Sequence, residues 1–324
     1  MHDERQSRLN WIDKFTHNSK SFLLVFAVLA VYILFTLINP RFTSIANLIN
    51  IARQMSINMI IAVGMTFVII SGGLDLAVGS VGIMSGCLVG KLLVDFQFPV
   101  TAAILVGLAA GAACGLVNGI CIAKFRVPPF VATLAMMSIA RGIALVVTGG
   151  FPMNGFPESF NTLGIGFFLK IPLPVYVMVI IVIIGHIVLS KTEFGLNIYA
   201  VGGNERSARL AGLRVDSLKV KVYIISGILA AVGGILLTAR VISAQPALMT
   251  STNLEVIAAV FVGGTRMGGG EGTVLRTALG SLLMAFLFNG LNIAGVGYEW
   301  QQIAIGIILA GAVGIDMRRT QNII

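Results

Sequence analysis

Little in this sequence is equipped for covalent chemistry. Of its three histidines, His2 and His17 stand in a polar N-terminal tail and His186 is alone in an apolar run, with no serine spaced to act beside it as an intramembrane nucleophile. Cys87, Cys114 and Cys121 are odd in number and show no CxxC or Cys/His spacing, so they read as small apolar residues rather than a disulfide or metal framework. Gly86 to Lys91 (GCLVGK) brushes against a phosphate loop, but it is one residue short between its glycines, lacks the Ser or Thr and lies in a hydrophobic stretch. The expectation is a chain with no catalytic residue, no metal, no cofactor and no ATP site of its own.

The polar residues that remain gather in three places. Lys191 to Lys221 carries nine of the 35 charges in 31 residues. Inside it Asn204 suits a helix N-cap, Glu205 the positive end of the first turn and Gly212 a C-terminal stop, which predicts one short exposed helix over Asn204 to Leu213. A helix that short is marginal unless it docks on something; the alternative is a solvated loop. Ser71 to Ser80 is a glycine-rich break holding Gly72, Gly73 and Asp75 between two apolar runs. An acid there is costly unless paired or wet, so Asp75 reads either as part of a polar gate or as the cap of the next helix. Gly263 to Gly272, with Gly264 and Glu271, is the counterpart in the second half, preceded by a short segment with Glu255 that reads as a broken helix lining a cavity.

The elements that hold these groups are membrane helices. Apolar residues make up 57% and charged ones 11%, against about 25% charged in an ordinary soluble domain. Mean hydropathy is +0.96 over the whole length, so one membrane domain is expected and a water-soluble globule is excluded. The net charge of +9 records orientation rather than nucleic-acid binding. A helix needs about 20 residues to cross the hydrocarbon core. Six charge-free intervals are long enough: 21–39, 54–74, 96–123, 171–190, 222–239 and 277–298. Four more are shorter or interrupted: 76–90, 127–157 (broken by Arg141), 253–265 and 300–315. All ten together, with the N-terminus inside, put sixteen Lys and Arg on the cytoplasmic side and six outside, and an even count returns Arg318 and Arg319 to the cytoplasm.

The predicted fold class is therefore an all-α integral membrane protein of about ten transmembrane helices with both termini cytoplasmic: a tail over 1–20, one transmembrane domain over 21–317 and a tail over 318–324. Gly107, Gly111, Gly115 and Gly119 recur every fourth residue along the fourth span, and Gly82, Gly86 and Gly90 along the third, as stripes that let backbones approach closely in lipid. The likeness of Leu116 to Ile122 with Leu287 to Ile293, at the ends of oppositely directed spans, is what an inverted internal repeat would leave.

Five stretches then resemble the permease subunits of bacterial ABC importers for monosaccharides, the ribose, xylose and arabinose type. They are ISGGLDLAVGSV (Ile70 to Val81), FVATLAMMSIARGIALVVTGG (Phe130 to Gly150), TEFGLNIYAVGGNERSARLAG (Thr192 to Gly212), EVIAAVFVGGTRMGGGEG (Glu255 to Gly272) and GSLLMAFLFNGLNIAGV (Gly280 to Val296), in the family's order. The resemblance implies a multi-pass inner-membrane permease importing a monosaccharide, paired with a second permease of the same or a related chain. It also implies ATPase subunits on the cytoplasmic side and a soluble sugar-binding protein outside. By position, Gly202, Gly203, Asn204, Glu205, Ala208, Arg209 and Gly212 would be the segment that couples to the ATPase. Arg266 and Arg276, bracketing the second glycine turn, depart from the family's usual smaller or uncharged residues. The rival class is an ion-coupled secondary transporter, whose candidate carriers would be Asp75, Glu255 and Glu271.

Overall fold

The computed structural model describes residues 22–321. The tail expected over 1–20 lies outside them, as does 322–324, whereas 318–321 continues the last helix. The chain runs through α1 (Phe22–Ile38), a 3-10 turn (Pro40–Thr43), α2 (Ile45–Ile70), α3 (Val78–Val94), α4 (Val100–Ala123), α5 (Pro129–Thr148) and α6 (Glu158–Ile165). A two-residue hairpin, β1 (Phe167–Phe168) and β2 (Ile171–Pro172), pairs antiparallel before α7 (Leu173–Lys191), α8 (Glu193–Gly203) and α9 (Glu205–Leu210). Then come α10 (Val215–Val241), α11 (Thr252–Val262), α12 (Val274–Ile293) and α13 (Tyr298–Gln321). Every one of the ten apolar intervals holds a helix, and α2, α4, α5, α7, α10 and α12 are long and apolar enough to cross a membrane.

That set of six differs from the charge-free ruler at α5, which runs straight through Arg141; the described part of α1, Phe22–Ile38, begins where the described residues begin. The Arg141 Nη2 donates to the carbonyls of Pro246 (3.5 Å) and Leu248 (3.4 Å), so the charge is met by backbone oxygen instead of breaking the helix. For the same reason α2 begins at Ile45 and not near 54: Arg53 donates to the Ile165 carbonyl at 2.7 Å and lies 4.6 Å over the Phe167 ring. Helix starts are written locally, with Pro99, Pro128, Pro157 and Pro172 at the N-caps of α4, α5, α6 and α7, where a fixed φ and a missing N–H fit the first turn.

α10 is the central helix, packed against α2, α3 and α4. The glycine stripe of α4 is what lets two of them touch. Gly107, Gly111, Gly115 and Gly119 are all buried; a β-carbon on Gly111 would meet the Gly227 carbonyl and Ala231, one on Gly115 the Tyr223 carbonyl, and one on Gly119 the Val220 backbone. With no hydrophobic effect between helices in lipid, such backbone contact supplies the dispersion energy that holds them. On the periphery Val179, Ile180, Ile183, Ile184 and Ile187 form an exposed apolar face of α7, the kind of surface that lipid covers.

Two features were not read from the sequence. The connection from α5 to α7 folds into a cap at one end of the bundle, where Gly164 of α6 rests on the Arg240 backbone and Met153 pairs with Ala244. Second, α3 starts inside the bundle, where it meets α11, the segment the sequence already offered as a broken helix. Asp75, just before α3, bonds Ser226, which lies 11 residues or about 16 Å into α10. Asn253 at the start of α11 accepts the Gly79 N–H of α3 at 2.8 Å. From that meeting point α3 climbs to Ala244 beyond the end of α10, and α11 descends to the first turn of α12. With 11 residues α11 is about 16 Å long, roughly half the hydrocarbon thickness, as a broken helix requires.

Candidate functional site

At the other end of the bundle from the cap, the three glycine motifs of the sequence converge on one spot. Helix α2 ends at Ile70, whose carbonyl accepts the Gly270 N–H at 2.9 Å. Gly202, in the last turn of α8, lies so close that a β-carbon there would overlap the Ile70 oxygen and stand 2.6 Å from the Gly270 nitrogen. Gly269 meets Gly72 and the Gly202 carbonyl, and Gly270 meets Gly203, so the three segments touch through main-chain atoms. Gly72, Gly264, Gly269 and Gly270 have φ between +76° and +82°, which only glycine adopts without strain. One turn earlier on α8, Tyr199 donates to the Gly272 carbonyl at 2.7 Å. Gly263 ends α11 against the Arg276 carbonyl, and the Glu271 carbonyl closes the loop by accepting the Arg266 N–H at 3.0 Å. Arg276 is buried, its Nε donating to Thr273 Oγ1 at 3.3 Å. A cleft of about 560 Å³ opens beside the junction, lined by Gly202, Gly203, Arg266, Gly269, Glu271 and Met317.

The charged stretch 191–221 holds two helices where one was expected. Gly202 and Gly203 end α8, and the short helix that follows is α9, Glu205–Leu210, tighter than the expected Asn204 to Leu213. Its signals are those read in the sequence: Asn204 Oδ1 accepts the Ser207 N–H at 2.9 Å, Glu205 stands in the first turn, and Gly212, at φ +88°, follows the end. Ala208 is buried against the bundle while Leu210 is 82% exposed, an apolar side chain presented outward. Ion pairs hold the helix in place. Glu205 pairs with Lys219 (2.6 Å), Arg209 (3.2 Å) and Arg126 (3.7 Å), and Asp216 pairs with Arg209 (2.8 Å) and Arg126 (3.9 Å). The Lys219 ammonium holds the Glu205 carboxyl below its usual range, so it stays ionised well below neutral pH. Exposed pairs are singly worth about 0–1 kcal/mol, but here they tie α9 to α10 and to the α4–α5 turn at once.

Asp75 is buried at the start of α3. Its Oδ1 accepts the Ala77 N–H at 3.0 Å and its Oδ2 the Ser226 hydroxyl at 2.8 Å, while Tyr223 donates to the Leu74 carbonyl and fills the space beside Gly73. The carboxylate thus makes the local bond a helix start needs and also pins the break to α10. Glu255 is apart from both groups, in the first turn of α11, where it accepts from Ser251 (2.7 Å) and Asn58 (3.0 Å). Ser226, Lys219, Arg126, Tyr199 and Asn253 were missed in the sequence; each acts across the chain, 70 residues or more away for all but Lys219, and of the five only Tyr199 sits in a quoted motif.

A helical bundle with six membrane-length apolar helices, helices that start inside it and a tethered helix at one end define a polytopic membrane protein. Residues 47–313 match the family model described as branched-chain amino acid transport system / permease component, and the chain belongs to this permease family. It is 40% identical over 309 residues to the ribose import permease protein of Haemophilus influenzae, covering 94% of each chain. It is 38% identical over 307 residues to a probable ABC transporter permease protein of Escherichia coli (94% of this chain, 91% of the other). With the L-arabinose transport system permease protein of Escherichia coli the identity is 35% over 298 residues (91% and 89%). No solved structure matches the chain.

Proposed function

We propose that the chain is the membrane subunit of an ATP-driven importer of a monosaccharide of the ribose and arabinose class. The observation that carries this is the near end-to-end likeness to permeases named for those sugars. We place it in the bacterial inner membrane as ten passes with both ends inside, two of the passes being part helix and part non-helical chain, and with the two halves related as an inverted repeat. Its partners are ATPase subunits below, a sugar-binding protein above and a second permease beside it. An ion-coupled carrier is not favoured, because the relatives that match nearly end to end are named as import and ABC transporter permeases.

In this reading ATP closes the ATPase subunits, α9 moves with them, and the glycine junction passes the displacement to α2 and to the α11–α12 loop, exchanging an outward opening for an inward one. Purification in mild detergent should recover a P-loop ATPase in comparable amount; a particle that moves sugar without ATP would end the proposal. Glu205→Lys places a cation among Lys219, Arg209 and Arg126. ATPase recovery is expected to fall about tenfold, equivalent to ~1.4 kcal/mol, with membrane insertion unchanged. Normal recovery together with normal import would remove α9 from the coupling path. Asp75→Asn keeps the shape but changes one acceptor for a donor. Import is expected to slow at least threefold, on the order of one hydrogen bond's worth, while the complex assembles as before; a wild-type rate would leave Asp75 as a helix cap alone.

A further inference from the structure

The pairing of Glu255 with Asn58 has a location that sets its role. Asn58 is 13 residues from the first residue of α2 and 12 from the last, so it stands about 18–20 Å from either end of a helix long and apolar enough to cross a membrane, near the middle of that span. Glu255, Asn58 and Ser251 are all only partly covered within this chain. A carboxyl group at that depth does not face hydrocarbon, which costs about 2.5–3.5 kcal/mol even on insertion scales. Directly above it runs backbone that is not helical, from Ile242 to Ser251, with Ala247 and Thr250 exposed. Non-helical backbone at membrane depth is tolerated only where protein or water covers it. Thr250, Ser251, Glu255 and Asn58 therefore make a polar strip where the non-helical chain meets the first turn of α11.

We propose that this strip lines the water-filled path of the sugar and that Glu255, with Asn58, is a transient binding subsite for sugar hydroxyls. This rests on the monosaccharide reading above. A carboxylate offers about four acceptor positions, of which Ser251 and Asn58 fill two. The remaining two, beside an amide that both donates and accepts, match a pair of neighbouring hydroxyls. Sugar hydroxyls replace water at the subsite without a change in bond count, so the contact selects polyols while holding them weakly enough to leave.

The test uses the whole importer in proteoliposomes. Leu254 is 40% exposed next to Glu255, and Leu254→Cys should react with a charged, water-soluble thiol reagent above the baseline set by the three native cysteines. Glu255→Gln should lower import of radiolabelled ribose or arabinose about tenfold, with unchanged ATPase recovery and melting temperature, and Glu255→Asp should restore part of the rate. Labelling of Leu254→Cys by a lipid-soluble maleimide only, or wild-type import by Glu255→Gln, overturns the subsite. If the unmodified complex imports no monosaccharide, the sugar reading itself falls, while the thiol result still decides whether water reaches the strip.

Discussion

Gly202→Ala is expected to cut ATP-driven import more than tenfold, whereas Gly203→Ala, one residue along, leaves it at the wild-type rate. The contrast follows from geometry alone. A β-carbon on Gly202 overlaps the Ile70 carbonyl and crowds the Gly270 nitrogen, while one on Gly203 has nothing within 4 Å. Backbone cannot rotate away as a side chain would, so α8 must separate from α2 and break the Gly270 to Ile70 hydrogen bond. Overpacking of this kind costs about 1–3 kcal/mol, up to a hundredfold or so in an equilibrium between two conformations. Import and ATPase activity measured on the same proteoliposomes check it: loss of import with retained hydrolysis places the fault in transmission, and unimpaired import would show that the junction is not in the path. A melting curve in detergent separates that fault from simple unfolding.

Gly115→Leu should give the largest stability loss, at or above the upper end of the ~1–3 kcal/mol seen for overpacked cores. The added side chain would be driven into the Tyr223 carbonyl and the Ile224 backbone, prising α4 from the central helix. Gly142→Leu is the matched control, because Gly142 sits on an exposed face of α5 with open space around it and leucine favours helix by a few tenths of a kcal/mol or more over glycine. Size-exclusion profiles after graded heating read both. Equal survival of the two variants would mean that the glycine stripe is not what joins α4 to α10.

What could be read in advance, and what could not, divides by range. Apolar runs report helices because each satisfies its own backbone in lipid, so all ten intervals held one. Asn204, Glu205 and Gly212 marked α9 because capping is decided within a few residues. The glycine spacing of α4 pointed to a packed face, since four-residue periodicity is local. By contrast, helix limits set by charges failed wherever the charge had a distant partner: Arg53 on Ile165, Arg141 on Pro246, Lys219 on Glu205. The cap between α5 and α7 escaped notice because α6 is only eight residues long and the hairpin strands two each, too short for any periodic signal. Nothing in GGLDL, VGGNE or GGGEG taken singly says that the three touch, and only the folded chain brings residues 200 apart in sequence into backbone contact.

Helix α9 is also two-sided in a way that bears on how such machines diversify. Its inner side, through Ala208, Glu205 and Arg209, is committed to the bundle, while Arg206 and Leu210 stand on the exposed surface. In the coupling role proposed above, the residues open to a partner are thus separate from those that anchor the helix, and the junction nearby is made of main chain that leaves no room for a side chain at Gly202. If α9 couples to an ATPase as proposed, exchanges at Arg206 and Leu210 alter the face offered to that partner while the hold of Glu205 and Ala208 on the bundle is kept.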